Sequence, residues 1–223
     1  MATILNIETA TTNCSVSLSK GGETLVLKED NSPGYSHAET LHVFIKNVFE
    51  EAKIKPSDID AVAVSKGPGS YTGLRIGVST AKGLCYALNK PLISISTLES
   101  LAHQVIIVDG LILPMLDARR MEVYSAIYNN NHQLIREIKA EVLMENSYID
   151  LLEKSKVYFV GNGVIKTQQL IHHPNAFFIK DKLPSANEMG FLSYHKYKKS
   201  DIEDVAYFEP YYLKDFVAIK KKI

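Results

Sequence analysis

Two acidic residues stand where strand-end chemistry would need them. Glu8 closes the apolar run TILNIE, and Asp117 closes ILPMLD. An acid at such a position can hold a magnesium ion against a phosphate. After Glu8, the stretch ETATTNCSV offers the hydroxyls of Thr9, Thr11 and Thr12, the Asn13 amide and several backbone N–H groups. That set suits a phosphate, and it equally suits a polar turn that satisfies its own backbone. A third piece, FVGNGVIK, places Asn162 between Gly161 and Gly163 ahead of a helix. It is a loose version of a glycine turn against which an adenosine packs, and a tight strand-to-helix turn explains it without a ligand.

Other chemistries find less support. GPGSYTG lacks the Lys-Ser/Thr ending of a P-loop. His37 and His42 are five apart and His172 and His173 are adjacent, so neither pair shares one helix face. None of the seven histidines has an acid or cysteine at a metal-ligand spacing. No Ser-His-Asp set can be assembled from spacing, and Ser70 reads as a helix N-cap. Cys14 and Cys85 fit two buried thiols of a reducing compartment. No catalytic residue, metal or cofactor is therefore assigned. Lys+Arg and Asp+Glu both number 25, so no global field draws in nucleic acid, and any RNA contact must be local. The N-terminus does not resemble a signal peptide and no apolar stretch is long enough to span a bilayer, so a cytoplasmic, non-membrane protein is expected.

The elements that must position the acids follow from periodicity. TILNIE reads as a strand, and CSVSLSKGGETLVLKE as a hairpin turning at Gly21-Gly22. Leu41, Phe44, Ile45, Val48, Phe49 and Ala52 follow a helical period over 36–53, with Ser36 and Glu39 at capping-box spacing. IDAVAVS, a glycine-rich helix, PLISIS and a helix from Thr97 complete the half. The pattern then restarts. With Glu8 set over Asp117, the hairpin aligns without a gap and Gly21-Gly22 falls on Asn130-Asn131. The second half continues with a helix near 144–154, the strand KVYFVG, a helix from Val164 and a helix from Ser185 to about Lys199. The class is α/β, with two duplicated mixed-sheet lobes flanked by helices, 1–108 and 109–223. Two such lobes make the actin-like ATPase (RNase H-like) architecture.

The glycines at 73 and 77 share a helix stripe with Ala81. A mid-helix glycine costs about 1 kcal/mol relative to alanine, so close backbone approach must compensate. The stripe packs either on the chain's own sheet or on the 36–53 helix, or else against a second chain. In the second case Leu41, Phe44, Val48 and Phe49 join Ser70, Gly73, Leu74, Arg75, Gly77, Val78 and Ala81 in a partner-binding face.

The motifs ILNIETATTNCSVSL, GPGSYTGLRIGVSTAKGL, LDARRMEVYSAIY, GNGV and EPYYLKDF resemble the TsaB (YeaZ) family over nearly the whole chain. The family is a relative of TsaD, the threonylcarbamoyltransferase of tRNA threonylcarbamoyladenosine synthesis, and of M22 glycoprotease-like proteins. The resemblance implies the actin-like fold and a dimerisation subunit that pairs with TsaD, with TsaE, and with itself in their absence, touching tRNA only through the complex. TsaD's two metal-binding histidines fall here on Thr97 and Leu101, which implies no metal site. Glu8, Thr9, Thr11, Asn13, Asp117, Gly161 and Gly163 then mark a vestigial cleft. The competing expectation is an M22 peptidase-like hydrolase or a nucleotide-dependent enzyme acting in that cleft.

Overall fold

A computed structural model describes residues 1–32 and 37–214. The Ser36 capping box and the Lys220–Lys222 tail lie outside the described residues. Alternating side chains form an antiparallel meander of β1 (Thr3–Glu8), β2 (Cys14–Lys20) and β3 (Glu23–Asp30). β4 (Ala61–Gly67) and β5 (Leu92–Ser96) join parallel to β1, giving the order β3-β2-β1-β4-β5. Their near-continuous apolar runs suit strands covered on both faces. The second sheet repeats the plan with β6 (Leu111–Asp117), β7 (Glu122–Asn129), β8 (Leu134–Val142), β9 (Val157–Val160) and β10 (Ala176–Ile179), in the order β10-β9-β6-β7-β8. The two halves together have the actin-like arrangement. Gly21 and Gly22 turn the first hairpin at positive φ, and the second turns at Asn130-Asn131 with His132 at φ 57°.

The helices α1 (His37–Ala52) and α2 (Tyr71–Leu88) cover one face of the first sheet, where Leu41, Val48 and Val78 meet Leu5, Ile7 and Val16. α3 (Thr97–Ala102) and α6 (Ala186–Lys198) are exchanged between the halves. α6 packs Ala186, Met189 and Leu192 on Ile4, Ala61, Ile93 and Ile95 of the first sheet. α3 packs Leu98 and Leu101 on Ile112, Leu116 and Tyr128 of the second. A division at 108/109 therefore separates the sheets and not the cores. Part of the α6 contact is polar, and two of its hydroxyls bond across it. Ser193 Oγ donates to Asn6 Oδ1 at 2.7 Å, and Ser17 Oγ donates to the Ala186 carbonyl at 2.7 Å.

Two expectations change. The helix near 144–154 shrinks to α4 (Ile149–Leu152), because Tyr148 takes a left-handed φ of 63°, which a right-handed helix cannot contain. The Tyr148 hydroxyl donates to Glu141 Oε2 at 2.9 Å, which fixes the residue outside the helix. β10 has no counterpart in the sequence analysis. α5 (Val164–Leu170) follows β9 as expected. Beyond α6 the chain forms a strap. It bridges Leu92 at Glu203, passes α2 where Lys82 Nζ donates to the Ala206 and Phe208 carbonyls, and reaches Glu122 of β7 through Lys214.

Candidate functional site

Glu8 is fully buried. Its Oε1 accepts from Ala10 N at 2.6 Å and from Ser65 Oγ at 2.8 Å. Its Oε2 has no partner among the described residues. Burial pushes the carboxyl up to about 7, against the opposing effect of its hydrogen bonds. The loop behind it is occupied with its own chain. Thr9 Oγ1 donates to the Gly73 carbonyl at 2.8 Å, Ser70 N donates to the Ala10 carbonyl at 2.7 Å, and Asn13 N donates to Thr11 Oγ1 at 3.3 Å. The Asn13 amide reaches the Pro184 carbonyl at 3.0 Å. Of the two expectations for this loop, the geometry matches the turn that satisfies itself.

Asp117 is exposed and neutralised by Lys166 at 2.7 Å, while its Oδ1 also accepts from Arg119 N. No hydrogen bond or ion pair joins Glu8 to Asp117 among the described residues. Gly161 has φ 112°, and a Cβ there would lie 2.3 Å from the Met115 carbonyl oxygen and 2.7 Å from Leu101 Cδ2. A Cβ on Gly163 would meet Val123 at 3.0 Å. Both are close-approach glycines, the strand-to-helix turn that needs no ligand. Thr97 and Leu101 are buried in α3, and among the described residues no three His, Cys, Asp or Glu side chains gather as a metal site.

The α2 glycines resolve differently from the partner-binding expectation. Ser70 caps α2, accepting from Gly73 N at 3.4 Å. A Cβ on Gly73 would lie 2.1 Å from the Thr9 carbonyl oxygen, and one on Gly77 would lie 2.2 Å from Thr9 Oγ1. The stripe faces inward, onto the β1–β2 loop, because that loop must pass close to the helix backbone. Leu41, Val48, Phe49, Leu74, Val78 and Ala81 are likewise buried in the chain's own core. Of the expected face, Ser70 and Arg75 are exposed and Phe44 is half-buried.

A second small-residue stripe lies on the outer side of α2. Ser79, Gly83 and Ala87 are spaced four apart and exposed, and a Cβ on Gly83 would meet nothing within 4 Å. Tyr86 (87 % exposed) on α2 and Val43 (53 %) on α1 flank it. Between α1 and α2 runs an open cavity of ≈ 480 Å³, with Ile45, Phe49, Ile54 and Leu84 in its wall and His42 and Lys46 at its side. Gly83 has no role among the sequence expectations. Its four-residue spacing from Ser79 and Ala87 is the signal that could have found this face.

Residues 34–221 match the family model described as TsaD, tRNA N6-adenosine threonylcarbamoyltransferase. The Bacillus subtilis (strain 168) tRNA threonylcarbamoyladenosine biosynthesis protein TsaB is 30 % identical over 203 residues, which cover 90 % of this chain and 85 % of that protein. This chain belongs to the TsaB (YeaZ) family. The Escherichia coli (strain K12) TsaB is also 30 % identical, over 98 % of this chain and 97 % of its own. A solved Pseudomonas aeruginosa protein, described as similar to the peptidase YeaZ, superposes with TM-score 0.83 at 26 % identity, covering 96 % of this chain and all (100 %) of that one. TsaB-family membership and a loop whose Thr9 and Thr12 hydroxyls, Ala10 N–H and Asn13 amide groups bond within the chain are thus both on hand. No helix among the described residues is long and apolar enough to cross a membrane.

Proposed function

We propose that this chain is a non-catalytic partner subunit in tRNA threonylcarbamoyladenosine synthesis, and that it docks a TsaD homologue through the outer face of α1 and α2. The carrying observation is Gly83. It sits mid-helix, exposed, with nothing within 4 Å of where its side chain would be. Its helix cost of about 1 kcal/mol meets no compensation inside the chain. Close approach by a second helix supplies one, as small residues do wherever helix backbones meet closely. The exposed Val43 and Tyr86 and the apolar wall of the neighbouring groove add the hydrophobic area that such an interface needs. In the absence of the TsaD homologue the same face pairs two copies of this chain, and a TsaE homologue joins the assembled complex. The partner supports the transferase by favouring one arrangement of the TsaD homologue's lobes.

The self-satisfied Thr9–Asn13 loop and the Lys166-paired Asp117 support a cleft without chemistry of its own. A second reading, an enzyme acting in the cleft, draws on the buried Glu8 carboxyl with its unpartnered oxygen. Light scattering on this chain, alone and mixed with the TsaD homologue of the same organism, tests the first reading. A homodimer that gives way to a mixed complex supports it. A monomer indifferent to the homologue, stabilised against heat by ATP–Mg, supports the second.

A further inference from the structure

We propose that the seam where the strap crosses from α2 to β7 is a single-stranded RNA contact, which holds an unstacked loop of the tRNA. The tRNA identity of the ligand rests on the pathway assignment above. The site itself rests on six side chains. The Tyr71 and Tyr212 rings lie against each other, tilted by 35° with centroids 4.9 Å apart, and the Arg75 guanidinium lies 5.2 Å from the Tyr71 centroid. Tyr212 keeps 38 % of its surface open, which leaves aromatic surface for a base to pack on. Two residues further on, Lys214 reaches Glu122 on the other half of the molecule. There Arg119 and Arg120 stand exposed in the β6–β7 turn, held at φ 69° and 50°, and make no ion pair among the described residues.

Charge selects RNA over a protein partner. The acids along this seam are largely neutralised already: Asp117 by Lys166 and Glu122 by Lys214. Glu209, near Tyr212, is the acid left over, against Arg75, Arg119 and Arg120. The chain as a whole is neutral, so this excess is local. Aromatic faces beside guanidinium groups bind unstacked bases, while cations track the phosphates. A fully paired duplex offers no base to stack, so the seam distinguishes a loop from a helix.

The test is fluorescence anisotropy with a labelled anticodon stem–loop and a blunt duplex, titrated with this chain alone and with its complex with the TsaD homologue. The stem–loop is expected to bind more tightly than the duplex. Tyr212→Ala weakens it about tenfold with the salt dependence unchanged, and Tyr212→Phe restores it. Arg119→Asn with Arg120→Asn, which tolerates the left-handed backbone, reduces the salt slope by about 1.4. Circular-dichroism melts confirm that each variant is folded. Affinities unmoved by all of these substitutions, in both settings, overturn the proposal. So does a Tyr212→Ala chain that loses the TsaD homologue by light scattering but keeps its RNA affinity, since the seam is then a protein contact. If the wild-type chain ignores the TsaD homologue, the docking reading falls, and the titration of the chain alone still decides this one.

Discussion

Burial holds the Glu8 carboxyl protonated to a pH where a free glutamate is ionised, with a pKa of about 7 against 4.5. A raised carboxyl pKa means that the folded state holds its proton longer than the unfolded state. Stability from Glu8 is then full below pH 4.5 and lost as pH rises through about 7. Across that window the protein should lose on the order of 3 kcal/mol. Glu8→Gln keeps an oxygen for Ser65 and Ala10 but cannot ionise, so urea melts at pH 5 and pH 8 should differ less in the variant than in the wild type. Gly77 makes a second residue-scale case. An added methyl would displace Thr9 Oγ1 and break its bond to the Gly73 carbonyl. Gly77→Ala should destabilise by about 1–3 kcal/mol in urea titration, with no change in exposed surface chemistry. The sequence located Glu8, Asp117 and the glycines correctly at strand ends and in a helix. It did not show that Glu8 is sealed off, because burial depends on which distant segments pack against it.

At the scale of elements, α2 carries two small-residue stripes, at 73/77/81 and at 79/83/87. Spacing alone cannot say which of them faces in. The β1–β2 loop decides, since Thr9 fills the space over Gly73 and Gly77 and leaves Gly83 open. Gly83→Ala should therefore stabilise the isolated chain by about 1 kcal/mol, read by urea melts at a concentration where it is monomeric. A loss of stability would mean that the open side of Gly83 is already filled. The helices α1, α2 and α6 were legible because each has a periodic apolar face, and α2 and α6 begin at serine caps. α4 was overestimated, since the left-handed Tyr148 depends on a hydroxyl contact to β8. β10 was missed because its four residues, AFFI, are too few to show alternation, and parallel pairing with β9 defines it.

The whole molecule is one interlocked unit, because each lobe's sheet is finished by the other lobe's helix. Fragments 1–108 and 109–223 should each fail to fold alone and recover structure on mixing, as followed by far-ultraviolet circular dichroism. A fragment that folds by itself would show that the α3 and α6 contacts are dispensable. The duplication was plain in the sequence, since Glu8 over Asp117 aligns both hairpins. The exchange was not, because no local pattern says which sheet α3 and α6 cover, and α6 packs on strands far earlier in the chain. On the proposed reading, the outer α1–α2 face is where this body docks its partner. The most direct test is light scattering of the chain mixed with the TsaD homologue, comparing wild type with Gly83→Arg. A mixed complex that is lost in Gly83→Arg, with the fold intact by circular dichroism, is the expected result. A Gly83→Arg chain that associates as well as wild type would contradict the assignment of this face.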